Sequence, residues 1–444
     1  MERYYIWAKN YRKSFTEIMV SYIGGYLASI LMSSENGTFI DRIHLLQKVN
    51  YINVLSWLAI IVFTIYLCSI KVIGIYLERN NLYTKFSNYI KQNTDPCMQG
   101  FGNAGFLSFG QNMVLQPCPN LLEGWQTSDI HLHQFRSDTN SNSHHPIKED
   151  LENAFNRVSA RDKFIYPHIQ ALYEKTNLSE EFKQYLDEHS TLLDEENNQR
   201  RVSLRKLYVG KKSGLYLEFD TCYWNQANFF WNKMRNDSMR KSKMIQQVYE
   251  SKAIQAPTSF CLHLIVETKD NKVLLTTISK LKDNDYATTK AATIGEQLEI
   301  SDIINTHDYN DDFVKVWIQR AFAEEFNLDG LDYQHYVNED SFRILSVNLE
   351  ADIINFSLVC VATLNCTFDE FHAHLSVKSL DPVEIGSIEP LSIAQIPAIL
   401  ASYQDEKQNI QYHPSTYLRL LLYMIHKVGY KNSWRAIEPY LAKK

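Results

Sequence analysis

Apolar residues along the chain follow three periods, and each period predicts a different element. Near the start they run almost unbroken. Ile18–Met32 and Val54–Ile70 carry no charged residue, and each approaches the roughly 20 residues that a bilayer-spanning helix needs. Farther on, apolar and polar positions alternate in Ser259–Thr268, Val273–Ile278, Phe342–Leu349 and Asp352–Leu364, which is the two-residue period of a half-buried strand. Between them, Val314, Ile318, Phe322 and Phe326 recur every fourth residue within Asn310–Leu328, predicting a helix with one face toward a core. Ile393–Ser402 and Ser415–Lys427 also read as helices. The expected organisation is a two-helix transmembrane hairpin in residues 1–80, a middle region in 81–255 and an α+β domain in 256–444.

Charges around the two apolar runs predict an orientation. Arg3, Lys9, Arg12 and Lys13 precede the first run, and Lys71, Arg79, Lys85 and Lys91 follow the second. Only Arg42 and Lys48 lie between them. An excess of Lys and Arg marks the cytoplasmic side, so a multi-pass protein with both termini in the cytosol is expected. Within the first run Ser21, Gly25 and Ser29 repeat every fourth residue. Small side chains at that spacing let helices approach closely in lipid, either between copies or against the second span.

The middle region has weaker signals. Asn93–Asn120 shows little periodicity and Ser137–His145 has the polarity of a loop. Helices are expected at Ile147–Val158, Asp162–Lys175 and Ser179–Glu196. Leu207–Trp231 reads as aromatic strands joined at Gly-Lys-Lys-Ser-Gly, a hairpin tip lacking the glycine spacing of a phosphate loop. Its rings are expected in a core. His131, His133, His144 and His145 have no acidic or Cys partner at ligand spacing, so no zinc site is expected.

A net charge of −6 and a pI near 6.2 leave no broad basic footprint for a DNA or RNA polymer. Seven cysteines without a C-x-x-C pair suggest free thiols rather than a zinc site or a disulfide framework.

The helix Asn310–Leu328 contains an anomaly. At about 100° per residue Glu325 falls inside the apolar face, between Ile318 and Ala321. A carboxylate aimed at a core must be neutralised, hydrogen-bonded or metal-bound. Arg320 and Glu324, four residues apart, can pair. The run Arg320-Ala321-Phe322-Ala323-Glu324-Glu325-Phe326-Asn327-Leu328 resembles the second half of the Nudix box, R-E-U-x-E-E-x-G-U, with U a bulky apolar residue. Asp312 stands where the box has Glu, and Gly295 resembles the glycine ahead of its loop. Three further positions depart from the pattern. Ala321 replaces a Glu that binds or serves catalytic metal, and Asn327 and Thr306 replace glycines.

That resemblance implies an α/β/α sandwich over residues 256–444, with hairpin, glycine and box helix in that order. It also implies nucleotide chemistry, in which box carboxylates hold divalent metal that stabilises diphosphate charge and activates water. Glu324 and Glu325 are the metal ligands it assigns here, with Mg²⁺ the implied ion if hydrolysis persists. Glu296, Asp369 and Glu370 are candidates to replace the carboxylate lost at Ala321. Taken with two spans, the chain resembles the two-transmembrane Nudix effectors of CBASS, the cyclic-oligonucleotide-based antiphage systems. The resemblance implies a cyclic di- or oligonucleotide ligand made by a partner cyclic-nucleotide synthase. It also implies a homo-oligomer in the lipid bilayer of the bacterial inner membrane, whose disruption ends the infection abortively. The alternative is a membrane-tethered Nudix hydrolase of nucleoside-diphosphate-linked substrates.

Overall fold

The computed structural model describes residues 82–98, 107–135, 163–164, 166–173, 176–193, 199–210, 213–281, 286–304, 312–377, 385–406 and 411–441, besides positions 21, 58, 61–66 and 68–69. The chain divides into two compact units, Met1–Ser87 and Asn88–Lys444.

The expected transmembrane hairpin is corrected. Among the described residues no helix is long and apolar enough to cross a membrane, which overturns the two-span inner-membrane placement and the topology built on it. Uninterrupted apolar sequence was the main signal for the spans. Spanning needs about 30 Å of continuous apolar helix, and no described helix meets that. Most of Ile18–Met32, including Gly25 and Ser29, lies outside the described residues, as does much of Val54–Ile70.

In the second unit the strands are β1 (Ser108–Phe109), β2 (Asn112–Pro117), β3 (Ile130–Phe135), β4 (Arg200–Val209), β5 (Leu215–Tyr223), β6 (Phe260–Glu267), β7 (Lys272–Ile278), β8 (Lys290–Ala292), β9 (Ile294–Gln297), β10 (Val337–Glu350), β11 (Asn355–Leu364) and β12 (Ile385–Ser392). The larger sheet runs β1-β2-β10-β11-β6-β7-β12, with β8 paired to β7 and β9 to β6. A smaller sheet has the order β3-β5-β4. β6 and β11 are parallel, with Phe356 opposite Phe260 and Thr363 opposite Glu267. Every other pairing in the larger sheet is antiparallel. β2 joins the sheet from far upstream, placing Gln116 opposite Val347 and Asn112 opposite Glu350.

The middle region departs from expectation after Tyr223. The aromatic run turns helical there, as α1 (Trp224–Arg235), and Gln226 Oε1 accepts the Tyr223 N–H at the turn. Phe229 and Phe230 are buried on α1, and Phe219 of β5 packs 5.4 Å from Phe260. Tyr208 and Tyr216 stack 5.2 Å apart, only half-buried. The next helix is α2 (Ser238–Ser251). The expected helices Asp162–Lys175 and Ser179–Glu196 shorten to Pro167–Leu172 and Leu178–Glu188. Ile147–Val158 lies outside the described residues.

Both faces of the larger sheet are covered, so its central strands are buried along nearly their whole length. On one face Leu262, Leu264 and Val266 of β6 and Leu358, Cys360 and Ala362 of β11 enter the main core. There α3 (Phe313–Phe326), the box helix, sets Trp317 5.7 Å from Phe260. Against its far end, α4 (Phe368–Val377) brings Phe371 5.5 Å from Phe326. On the other face lies α5 (Pro414–Val428), an almost wholly buried helix. Lys427 at its end reaches Glu267 of β6 at 2.9 Å.

Candidate functional site

The box helix is capped at both ends by residues the motif comparison singled out. Asp312 is its N-cap, accepting the Lys315 N–H at 3.0 Å. Burial raises the Asp312 carboxyl, and hydrogen bonds from Thr127 and Lys315 oppose that. Asn327 ends the helix at φ 52°, in the left-handed region, with its N–H bonded to the Phe322 carbonyl. Asparagine tolerates this conformation almost as glycine does, so the Gly-to-Asn departure leaves the turn intact. At 1.5 Å per residue, Asp312 lies roughly 18 Å along the helix from Glu324. It belongs to the cap.

Arg320 organises the opposite end. Its guanidinium donates to both oxygens of Asp302, at 2.8 and 2.9 Å, and to Glu324 at 2.8 Å. It also donates to the Gln297 carbonyl at 2.5 Å and meets Glu296 at 3.3 Å and Glu299 at 4.0 Å. Asp302 is 1% exposed and Glu324 52%. Burial alone would depress Arg320, but its carboxylate partners, Asp302 foremost, outweigh it and hold the group charged. Burial raises Asp302 and Glu296 from their ordinary values, and Arg320 pulls both back.

Glu325 and Ala321 lie on the helix face turned to the core, 8% and 0% exposed. Of the proposed replacement carboxylates, Glu296 joins the Arg320 cluster. Glu370 instead accepts the Thr367 N–H at the start of α4, and Asp369 beside it is exposed. The donor set fits a divalent ion poorly. Glu296, Asp302 and Glu324 converge on a guanidinium, and a methyl group occupies position 321. Among the described residues no three His, Cys, Asp or Glu side chains are placed to hold a metal.

A second polar centre lies across the sheet. His263 of β6, Ser357 of β11, Glu350 of β10 and Arg419 of α5 are all buried. His263 Nε2 stands 3.4 Å from Glu350 Oε1. Arg419 Nη1 donates to the carbonyls of Ala292 and Ile294, at 3.3 and 3.2 Å. Its Nη2 lies under Gly295, where a Cβ would stand 3.8 Å away, an ordinary van der Waals contact. Gly295 stands opposite His263 in the β6–β9 pairing. Sequence reading missed Asp302, His263, Glu350 and Arg419. Only the interruption of the β6 apolar run by His263 and Glu267 hinted at a polar face.

Three solved structures are similar to part of this chain. The DR0079 protein of Deinococcus radiodurans is 13% identical over 36% of this chain and 78% of its own, with a TM-score of 0.24. A Nudix hydrolase of Nitrosomonas europaea is 14% identical over 38% and 90%, with a TM-score of 0.23. Tm1382, provisionally named a Nudix hydrolase, is 7% identical over 51% and 98%, with a TM-score of 0.26. Overlaps this slight carry no argument about function. No protein-family model matches the sequence, and no curated protein matches it.

Proposed function

We propose that the unit 88–444 contains a Nudix-type domain that binds a nucleotide and has lost or reduced its hydrolysis. The observation that carries this reading is the state of the box helix. Ala321 is fully buried where the motif has a carboxylate, and Arg320 already holds Asp302, Glu296 and Glu324. A hydrolase of this type needs carboxylates free to gather metal around a diphosphate. The order of hairpin, Gly295 and box helix supports the Nudix-type assignment.

The ligand we propose is a cyclic di- or oligonucleotide, made by a partner synthase during phage infection, with this chain as the responding CBASS effector. Binding would favour self-association, since a sensor needs only a ligand that prefers one state of the protein. The rival is a hydrolase of nucleoside-diphosphate-linked substrates. The two separate in one experiment on the purified chain, which measures cyclic-nucleotide binding by calorimetry and diphosphate cleavage with Mg²⁺ or Mn²⁺. Binding without turnover is expected. Turnover on the order of 1 per second or faster, abolished in Glu325→Gln, would establish the hydrolase instead.

A further inference from the structure

The seam between the larger sheet and α5 buries polar groups that do not satisfy one another. His263, Glu350, Ser357 and Arg419 are 5%, 9%, 0% and 3% exposed. His263 Nδ1, Glu350 Oε1 and Arg419 Nε make no hydrogen bond, while Ser357 lies close enough to Glu350 to lower its carboxyl. Each such atom costs roughly 1–3 kcal/mol if nothing compensates it. The closest pair, His263 Nε2 and Glu350 Oε1 at 3.4 Å, has room for one proton. On the carboxyl, that proton donates to the imidazole nitrogen; on the imidazole, it donates to the carboxylate. Without it, and with the imidazole N–H on Nδ1, two acceptors face each other across a dry gap.

We propose that His263 and Glu350 hold a single shared proton, and that this proton makes the contact between the sheet and α5 sensitive to pH. Every element around the pair bears on it. Arg419 of α5 attracts the ionised Glu350, and Asp352, just past β10, repels it. Tyr286 donates to Asp352 at 3.3 Å, and Arg235 and Lys241 attract Asp352 from the helices behind. His413 caps α5, accepting the Ser415 N–H through Nδ1, and Cys261 stands two residues before His263 on β6.

The environment assigns the proton to Glu350 at and below neutrality. Burial, then Asp352, pushes its carboxyl from 4.5 up to about 7. Burial, then Arg419 and His413, holds His263 well below its usual value. Burial takes His413 down to about 3 and Cys261 up to about 12, and it lowers Arg419 to about 10. Glu350 is therefore the member of the centre that changes charge near pH 7. A carboxyl raised in the folded state stabilises the fold fully below its unfolded value. That contribution is lost as pH rises through the folded value. The seam tightens on acidification from pH 7 until the two neutral histidines, which resist charging below 6.5, begin to oppose it.

The test replaces Glu350 with glutamine, which keeps the shape of the neutral acid, in the full-length chain. Melting temperature and amide exchange of α5 are followed from pH 5 to pH 8. Glu350→Gln should match the native protein at pH 5 and exceed it at pH 8, with slower exchange in α5. The native protein should also show the infrared band of a protonated carboxyl at pH 6 that is gone by pH 8.5 and shifts in His263→Asn. Parallel pH curves for the two proteins would overturn the proposal. If the glutamine variant does not fold, the infrared band decides alone, and its absence at pH 6 has the same force.

Discussion

Arg320→Ala puts the structural account of the box helix to its most direct test. The guanidinium has one nearly dry partner, Asp302, and one wet one, Glu324, with side-chain exposures of 1% and 52%. The exposed leg contributes about 0.3–0.5 kcal/mol. Stranding a buried charge by deleting its partner costs about 3–5 kcal/mol, so Asp302 dominates. A folding unit of this size loses about 1–2 °C per kcal/mol, so the variant should melt roughly 4–8 °C lower at pH 7. The pH dependence identifies the cause. Without Arg320, burial alone acts on Asp302 and Glu296, and their folded-state values climb further above the unfolded ones. Stability so affected is present at low pH and lost as pH rises, so the deficit should shrink between pH 7 and pH 5. Adding Asp302→Asn should restore most of the loss, because the two sites act as one. Differential scanning fluorimetry on the four proteins of the cycle measures this. A deficit below 1 °C, or one independent of pH and additive with Asp302→Asn, would refute the pairing.

Three further outcomes are expected. Ala321→Glu places a charge at a fully buried position; it should lower the melting temperature by several degrees and give no metal-dependent cleavage in a malachite-green phosphate assay. Lys427→Met strands Glu267, which is 1% exposed, and should cost about 3 kcal/mol in urea unfolding, largely recovered by adding Glu267→Gln. Gly110→Ala meets the Tyr403 hydroxyl at 2.9 Å from a backbone at φ +59°, so the same urea assay should show a loss of about 1–3 kcal/mol. A neutral Gly110→Ala would mean that the β1–β2 turn sits differently.

Strands and the box helix were legible because each carries its period over enough residues. β6 and β7 match Ser259–Thr268 and Val273–Ile278 within a residue or two, and α3 fills Asn310–Leu328. β1 and β2 were not, because a two-residue strand and one ending Gln-Pro carry no period. α1 was misread because Trp224–Trp231 is rich in rings that suit either element, and the choice falls to the Gln226 turn. The Arg320–Glu324 pair follows from helix spacing alone. Asp302 could not be seen, since its role depends on an 18-residue return of the chain. Similarly, His263, Glu350 and Arg419 meet only when three elements fold together. The hairpin was over-read because uninterrupted apolar sequence states what a segment could tolerate, not that it crosses a membrane.

The upstream strand β2 has a practical consequence for anyone cutting this chain. Residues Ser346–Glu350 of β10 pair along their outer edge with Asn112–Pro117. The same edge is tied by Cys118 to Leu345 at 2.8 Å and by two bonds between Trp125 and Ile344. A fragment beginning at Ala256, the boundary the sequence suggests, would expose that edge as a row of unpaired N–H and C=O groups flanked by Val347 and Leu349. Open strand edges of this kind recruit other chains. Such a fragment should be lost to inclusion bodies, and any oligomer it formed in a binding assay would reflect the cut. The smallest piece that can be trusted to report on nucleotide binding starts upstream of Asn112.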